Sequence, residues 1–420
     1  MLKNIKFFIV FLILGWSIFS CSKLFEEEEE GNVIKVGALL TYTGELGGDG
    51  IAQSNAIKLA FKEVNDAGGL LGKNVRIIES NTKTDPNTIE DALDYLVNEE
   101  KVIAVIGPIT SSEMQKAFEF IKNNPRKVVI ISTSATSPAI TEFDDDGWIW
   151  RSCPSDAFQG NLLAEKIIEN NCDTLGIIYI DNVYGSKLAE VLKNRYEELG
   201  GYVAFVMGYP EGKTSGFDDI VDSVKIKKPE GLVLISYYED GAQLTREISM
   251  NLPSGYKPKM FGSDGIYGET FVENADLSLI EGMIGTCPGA DTSDKSFKYF
   301  SSQYVKNFGY EILPYTQNAY DNAYLIALAI LKARSFVPED IKNNLIRVSG
   351  PGGEKIYAGE FSKAKQVIEQ GGEIDYHGAS GEIDFDANGD PTWGTYYIWK
   401  IENGKIKIIE TVTYHSSGKR

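Results

Sequence analysis

The chain has 420 residues, 43% of them hydrophobic, and a formal charge of −19 that becomes −21 once Lys3 and Lys6 are removed with the leader. That length holds two ordinary domains with a large core, and an acidic excess unbroken by any Lys/Arg cluster excludes nucleic acid as a partner. Four cysteines without a C-x-x-C pair, and two histidines (His377 and His415) far apart in sequence, leave the usual zinc and thiol-redox patterns unfilled, so neither metal nor cofactor is expected.

The chain opens on a processing signal, residues 1–20. Lys3 and Lys6 precede an apolar run, Phe7 to Phe19, that is too short for a permanent bilayer span. Ser20 and Cys21 follow, with Ile18 where Leu is commoner, and this ending resembles a bacterial lipobox. Cleavage before Cys21 and lipidation of its thiol are therefore expected, in preference to a plain signal peptide, because no A-x-A-like site stands nearby. Residues 21–31, with the run Glu26 to Glu30, read as an acidic solvated tether. No later apolar run approaches the length of a transmembrane helix, which places the body outside the cytoplasm, held to the membrane surface by its lipid.

From Val33 onward, short β-branched runs alternate with stretches of helical period, the pattern of βαβ units and a parallel sheet. VIKVGALL, NVRIIES, VIAVIG and KVVIIS read as strands, and Gln53 to Asp66 as a helix with Ala56, Leu59, Ala60 and Val64 on one face, stopped by Ala67-Gly68-Gly69. The series breaks at RSCPSD, where Pro154 interrupts WIWRSC and Ser155 or Asp156 can cap a new helix. A second series follows: TLGIIYI, YVAFVMG, GLVLIS and KMFGSD as strands, with helices near Ser186 to Leu199, Phe217 to Lys225 and Ala242 to Met250. It closes at MIGTCPGAD, where Pro288 breaks a strand. Helices over Ser296 to Asn307 and Tyr315 to Lys332 have no sheet of their own and are expected to return to the first lobe, while SGEIDFDANGDPTWGTYYIWKIENGKIKIIE reads as a hairpin or meander. Two α/β lobes built from discontinuous segments, with a cleft between them, follow from this order: lobe 1 over 32–152 plus 288–396, lobe 2 over 154–286 plus 399–420.

VIAVIG and KVVIIS both end in hydroxyl-rich turns, GPITSSE and ISTSAT. Adjacent parallel strands ending this way would bring Ser111, Ser112, Ser134 and Thr136 to one spot at the carboxyl edge of a sheet, where open α/β sheets bind ligands. A helix N-terminus opens there too, so a small carboxylate would suit the place. Taken singly, either turn is as well explained by capping and loop shape; the succession of two favours a site.

Taken together, VGALLTYTGELGGDGIAQSNAIKLAFKEVNDAGGLLG, VIAVIGPITSS, VIISTSATSPAIT, WIWRSCPSDAFQG, IIYIDNVYGSKLAEV and DYHGASGEIDFDANGD resemble the type I periplasmic solute-binding proteins of bacterial ABC importers, above all the leucine/isoleucine/valine-binding group. The resemblance runs over nearly the whole mature chain. It implies two Rossmann-like lobes joined by a three-crossing hinge and a monomer that closes on an amino acid and presents it to a membrane permease. It also implies the ligand contacts: Ser111, Ser134, Ala135 and Thr136 on the α-carboxylate, Tyr184 and Tyr237 from the second lobe, and Asp264 on the ammonium, where the leucine-type pattern has the longer glutamate. Tyr42 and Tyr267 are weaker candidates for aromatic walls. Cys153 and Cys287 match positions where the chain crosses between lobes, so a hinge disulfide and two free buried thiols both stand open. A Cys153–Cys172 bridge is disfavoured, since the helical pattern between them would hold its ends about 20 Å apart.

Two other readings are carried. A sensory module could use the same two lobes for an amide, urea-like or aromatic acid ligand. An extracellular enzyme is less well supported, because no G-x-S-x-G elbow or H-E-x-x-H is present and the histidines are poorly placed for a triad. DFDANGD, Asp384 to Asp390, starts like a calcium loop, but Thr395 stands where the bidentate glutamate belongs, and a hairpin turn is the better reading.

Overall fold

The computed structural model describes residues 31–310, 312–415 and 418–419. The leader, Cys21 and the glutamate run lie outside the described residues. Strand β1 (Val33–Leu40), helix α1 (Gly47–Asp66), β2 (Asn74–Asn81), α2 (Ile89–Asp94), β3 (Ala104–Ile106), α3 (Ser111–Asn123), β4 (Val129–Ser132) and β5 (Ile149–Arg151) build the first lobe's sheet, in the order β2-β1-β3-β4-β5. Every pair in it is parallel. The runs of β1, β3, β4 and β5 are buried on both faces because helices cover both, as an all-parallel sheet requires, while the edge strand β2 is only part-buried.

The second series is α4 (Asp156–Glu169), β6 (Thr174–Asp181), α5 (Val183–Glu198), β7 (Tyr202–Pro210), α6 (Asp218–Lys227), β8 (Gly231–Ile235), α7 (Tyr238–Asn251), β9 (Lys259–Gly262), two short helices α8 (Glu269–Asn274) and α9 (Leu277–Ile280), and β10 (Ile284–Pro288). It forms a parallel run β7-β6-β8-β9-β10. The chain then returns to the first lobe, as expected: α10 (Lys295–Phe308) and α11 (Thr316–Ala333) pack on α1. There Tyr304 donates to the Ala52 carbonyl, and Tyr299, Tyr320 and Tyr324 all donate to Glu63. Burial holds the Glu63 carboxyl above its usual range, and the three donated hydroxyls offset part of that rise.

After α12 (Pro338–Ser349), residues without a clear strand pattern form a small third sheet: β11 (Glu354–Tyr357), then, past α13 (Phe361–Glu369), β12 (Ile374–Gly378) and β13 (Gly381–Glu382). The tail is the expected hairpin, β14 (Trp393–Glu402) and β15 (Lys405–His415), turned at Asn403-Gly404 with φ of 55° and 67°, the left-handed pair a tight hairpin needs. One boundary differs from expectation. Residues Trp393 to Tyr396, placed in lobe 1 by the sequence, belong to the second sheet, because the β14–β15 ladder is continuous from Trp393 and Tyr396 already opposes Pro288 of β10.

DFDANGD is a closed turn in which Asp386 Oδ1 accepts from the N–H groups of Asn388 and Asp390. Asp390 is committed elsewhere, to a buried pairing with Arg151 at 2.6 and 2.9 Å, so the loop locks β5 to the third lobe crossing. Cys153, Cys172 and Cys287 are free and buried. The hinge disulfide weighed between Cys153 and Cys287 is therefore replaced by two separate thiols. The Cys287 sulfur lies 3.2 Å from the Pro288 carbonyl, and Cys153 sits among Arg151, Asp156 and Asp390.

Candidate functional site

Each sheet reverses its winding once, between β1 and β3 in the first lobe and between β6 and β8 in the second, and open α/β sheets place their ligands at such points. The carboxyl edges there face one another across a cleft of about 480 Å³, part of it open to solvent. Ser111, Ser134 and Thr136 line its first wall, and Tyr184, Tyr237 and Asp264 line its second. Six of the seven residues expected in the site are thus brought together. Ala135 is not: it is buried behind the wall, with its N–H held by Ser132 Oγ (3.0 Å) and its carbonyl by Arg151 (3.1 Å). Tyr42 and Tyr267 also lie elsewhere. Tyr42 donates to Glu79 at the surface, and Tyr267 packs on Trp399.

The first wall is a cradle of donors. Thr110, rather than a serine, caps α3 in a reciprocal box with Glu113: Thr110 Oγ1 accepts from Glu113 N (3.2 Å) and Glu113 Oε2 accepts from Thr110 N (3.1 Å). Ser111 is freed to face the cleft. Its Oγ accepts from Ser137 N (3.1 Å), so its proton remains to be given. Gly107 makes the preceding turn possible. Its φ is 108°, and a Cβ there would lie 1.9 Å from the Leu39 carbonyl oxygen. Thr136 donates to Asp156 Oδ2 (2.8 Å) at the start of α4. Burial first and the charge of Asp264 second push the Asp156 carboxyl well above its usual range.

The second wall centres on Asp264, buried after β9. Its Oδ1 accepts from Tyr184 OH (2.7 Å) and Gln159 Nε2 (2.9 Å), and its Oδ2 from Tyr315 OH (2.5 Å). Tyr184 is aimed by Asn182, whose Oδ1 caps α5 by accepting from Tyr184 N and Gly185 N, and its ring stacks on Tyr237 with centroids 5.8 Å apart. Tyr315 holds a left-handed φ of 62°, which costs a bulky residue about 1–3 kcal/mol and is a mark of functional positions.

Several residues that the sequence did not single out complete the cleft: Asp49 and Gln53 on α1, Tyr238 beginning α7, and Tyr315. α1 begins at Gly47, a turn and a half before the expected Gln53, because a Cβ at Gly50 would stand 1.6 Å from the Thr41 carbonyl oxygen and only glycine lets the helix start against the end of β1. Gln53 Oε1 accepts from Thr133 Oγ1 (2.6 Å), and its Nε2 is buried without a partner. The lobes also touch directly. Tyr238 OH donates to Asp49 Oδ1 (3.2 Å), Glu239 N donates to Glu45 Oε1 (2.8 Å), and Ser137 Oγ donates to the Val183 carbonyl (2.7 Å).

Known proteins share this fold. The substrate-binding protein BasB of a chemotactic signal transduction system in Halobacterium salinarum is 27% identical over 90% of both chains. The branched-chain amino acid transporter substrate-binding protein of Streptococcus pneumoniae, solved with isoleucine, superposes with a TM-score of 0.75 at 23% identity, covering 91% of this chain and 99% of that one. A solute-binding protein of Rhodopseudomonas palustris solved with 3,4-dihydroxybenzoic acid gives 0.72 at 18% identity, covering 93% and 98%. These likenesses show the two-lobed type I fold. A model of the periplasmic binding protein family matches residues 33–405, and with that extent of match the chain belongs to the periplasmic binding protein family.

Proposed function

We propose that this protein is the solute receptor of an ABC importer, anchored outside the cytoplasm through Cys21, and that it closes on an amino acid and hands it to the permease. The observation that carries the reading is the opposition of two half-sites. Ser111, whose hydroxyl proton is free, and the unpaired Nε2 of Gln53 offer donors on the wall that Ser134 and Thr136 also line, and Asp264 offers an anion on the other. A zwitterion buried between lobes must have both charges answered, since an unpaired buried charge costs several kcal/mol. A carboxylate docked on the first wall and an ammonium on Asp264 meet that demand only when the lobes are together, so ligand stabilises the closed state alone. An aromatic acid without an amine answers neither Asp264 nor Asp49. Leucine-like amino acids lead on the strength of the isoleucine-bound neighbour. The likeness to the substrate-binding protein of a chemotactic signal transduction system keeps sensing beside transport as the use made of closure.

Thermal shift against a panel of amino acids and aromatic acids tests the reading. A ligand at a hundred times its dissociation constant adds about 2.7 kcal/mol of stability. Stabilisation by aromatic acids alone, or an amino-acid affinity unchanged in Asp264→Ala, would overturn it.

A further inference from the structure

The far end of the cleft carries a second acid that a neutral amino acid leaves unanswered. Asp49 lines the cavity and is 7% exposed. Its carboxylate accepts from Tyr238 OH at 3.2 Å and from its own backbone N–H, which leaves about half of a carboxylate's four acceptor sites unfilled. Among the described residues no Lys, Arg or His lines the cleft, so its wall holds two carboxylates and no cation. Asp264 is answered by an α-ammonium; Asp49 is not.

Position separates the two acids. Ser111 follows β3 and Asp49 follows the neighbouring strand β1, about 4.8 Å away at the sheet edge. Gln53, one helical turn after Asp49, is tied by Oε1 to Thr133 in the carboxylate-binding turn, so α1 runs from the hydroxyl cradle toward Asp49 along the cleft wall. A ligand held by its carboxylate on Ser111 and Thr136 and by its ammonium on Asp264 has one free direction for its side chain. Leu46 and Tyr238 line the same cleft as apolar surfaces suited to methylenes, and Asp49 lies against the Tyr238 hydroxyl. The dipole of α1 favours an acid in the first turn, but an exposed first-turn position would serve the dipole as well and would escape the desolvation that pushes Asp49 up to about 6. An aliphatic side chain would deepen that desolvation.

Building on the proposed amino-acid clamp, we infer that the cleft selects an amino acid whose side chain ends in a cation, as in lysine, ornithine or arginine, with Asp49 as the counter-charge. The class departs from the aliphatic amino acid of the isoleucine-bound neighbour. Titration calorimetry of the mature chain against L-lysine, L-ornithine, L-arginine and L-leucine decides. At least one basic amino acid is expected to bind about thirtyfold or more tightly than leucine, and Asp49→Asn to abolish that preference while leaving leucine binding unchanged or improved. Tighter binding of leucine than of all three overturns the inference. So does an equal loss of lysine and leucine in Asp49→Asn, which would reduce Asp49 to a latch with Tyr238. Asp264→Asn, which should weaken both classes together, separates this failure from failure of the clamp: leucine that binds more tightly than all three basic amino acids, and still loses that binding in Asp264→Asn, leaves the clamp standing and removes the basic side chain.

Discussion

Closure of the empty protein should depend on pH through Glu45. This residue lies in the loop before α1, and its Oε1 accepts from Glu239 N at the head of α7, across the cleft. Burial is the larger cause, and the charge of Asp240 the next, that push its carboxyl from an ordinary 4.5 to about 8. Asp240, Glu239 and the α7 backbone all belong to the second lobe, so the shift exists only when the lobes meet. The raised value means that the closed form binds the proton more tightly than the open form. Closure gains its full contribution below about 4.5 and loses it as pH rises through 8. At about 1.4 kcal/mol for each pKa unit the bound is about 5 kcal/mol, and Glu45's partial exposure discounts this to about 2–3 kcal/mol. A donor–acceptor dye pair spanning the lobes, titrated without ligand from pH 5 to 9, should show the closed population falling by about one to two decades in equilibrium constant. Glu45→Gln should remove most of that fall and leave a smaller step near pH 6 from Asp49, which burial also pushes up. A titration of equal slope in Glu45→Gln, or closure that strengthens with rising pH, would refute the reasoning.

Three further outcomes follow from the same geometry. Ser111→Ala should weaken amino-acid binding by about 1.5–3 kcal/mol, the worth of a hydrogen bond to a charged group, and should also lower the melting temperature of the empty protein, because the buried Ser137 N–H loses its acceptor; calorimetry and a melt check both. Asp390→Ala should cost about 3–5 kcal/mol of folding stability in a urea titration, since it strands the fully buried Arg151 guanidinium, and binding at low temperature should survive. Cys153 and Cys287 should resist a thiol reagent in the native state, and the intact mass should not change with reductant, because both thiols are buried and unpaired.

The lobes were legible because central parallel strands buried on both faces leave continuous β-branched runs, and each run in 33–288, the part-exposed edge strands β2 and β7 included, became a strand. The hydroxyl wall was legible for a related reason: residues just past a parallel strand have one place to be. What was missed shares the opposite property. Asp49 sits in LGGDG, where glycine density reads as loop, and the sequence gives no sign that the Gly50–Thr41 approach turns that loop into the first turn of α1. Tyr315 comes to Asp264 from the far side of a lobe crossing, 51 residues along the chain, and no periodicity encodes such a meeting. Asp156 stood beside Ser155 as alternative caps of one helix. Ser155 took the cap, accepting from Ala157 N, and that freed Asp156 for Thr136. The third sheet escaped because EKIY and IDYHG are too short, and too polar, to stand out from loop.

Tyr315 gives the sharpest test of how the two walls are coupled. Its hydroxyl holds Asp264 Oδ2, yet it belongs to the segment leading into α11, which packs on α1 in the first lobe. Asp264 is therefore bound to its own lobe through Tyr184 and to the opposite lobe through Tyr315, and three of its roughly four acceptor sites are filled before ligand arrives. An ammonium completing that set would be enclosed by Tyr315, so the same hydroxyl that positions the acid also resists reopening. Tyr315→Phe keeps the ring and removes one donor to a charged group, worth about 1.5–3 kcal/mol. If the hydroxyl acts in the closed state alone, dissociation should quicken by about one to two decades while the association rate stays within a few-fold, as most changes within one interface do. Stopped-flow dissociation in the wild-type and variant proteins measures this. An unchanged dissociation rate would mean that Tyr315 merely packs, and that Asp264 serves the second lobe only.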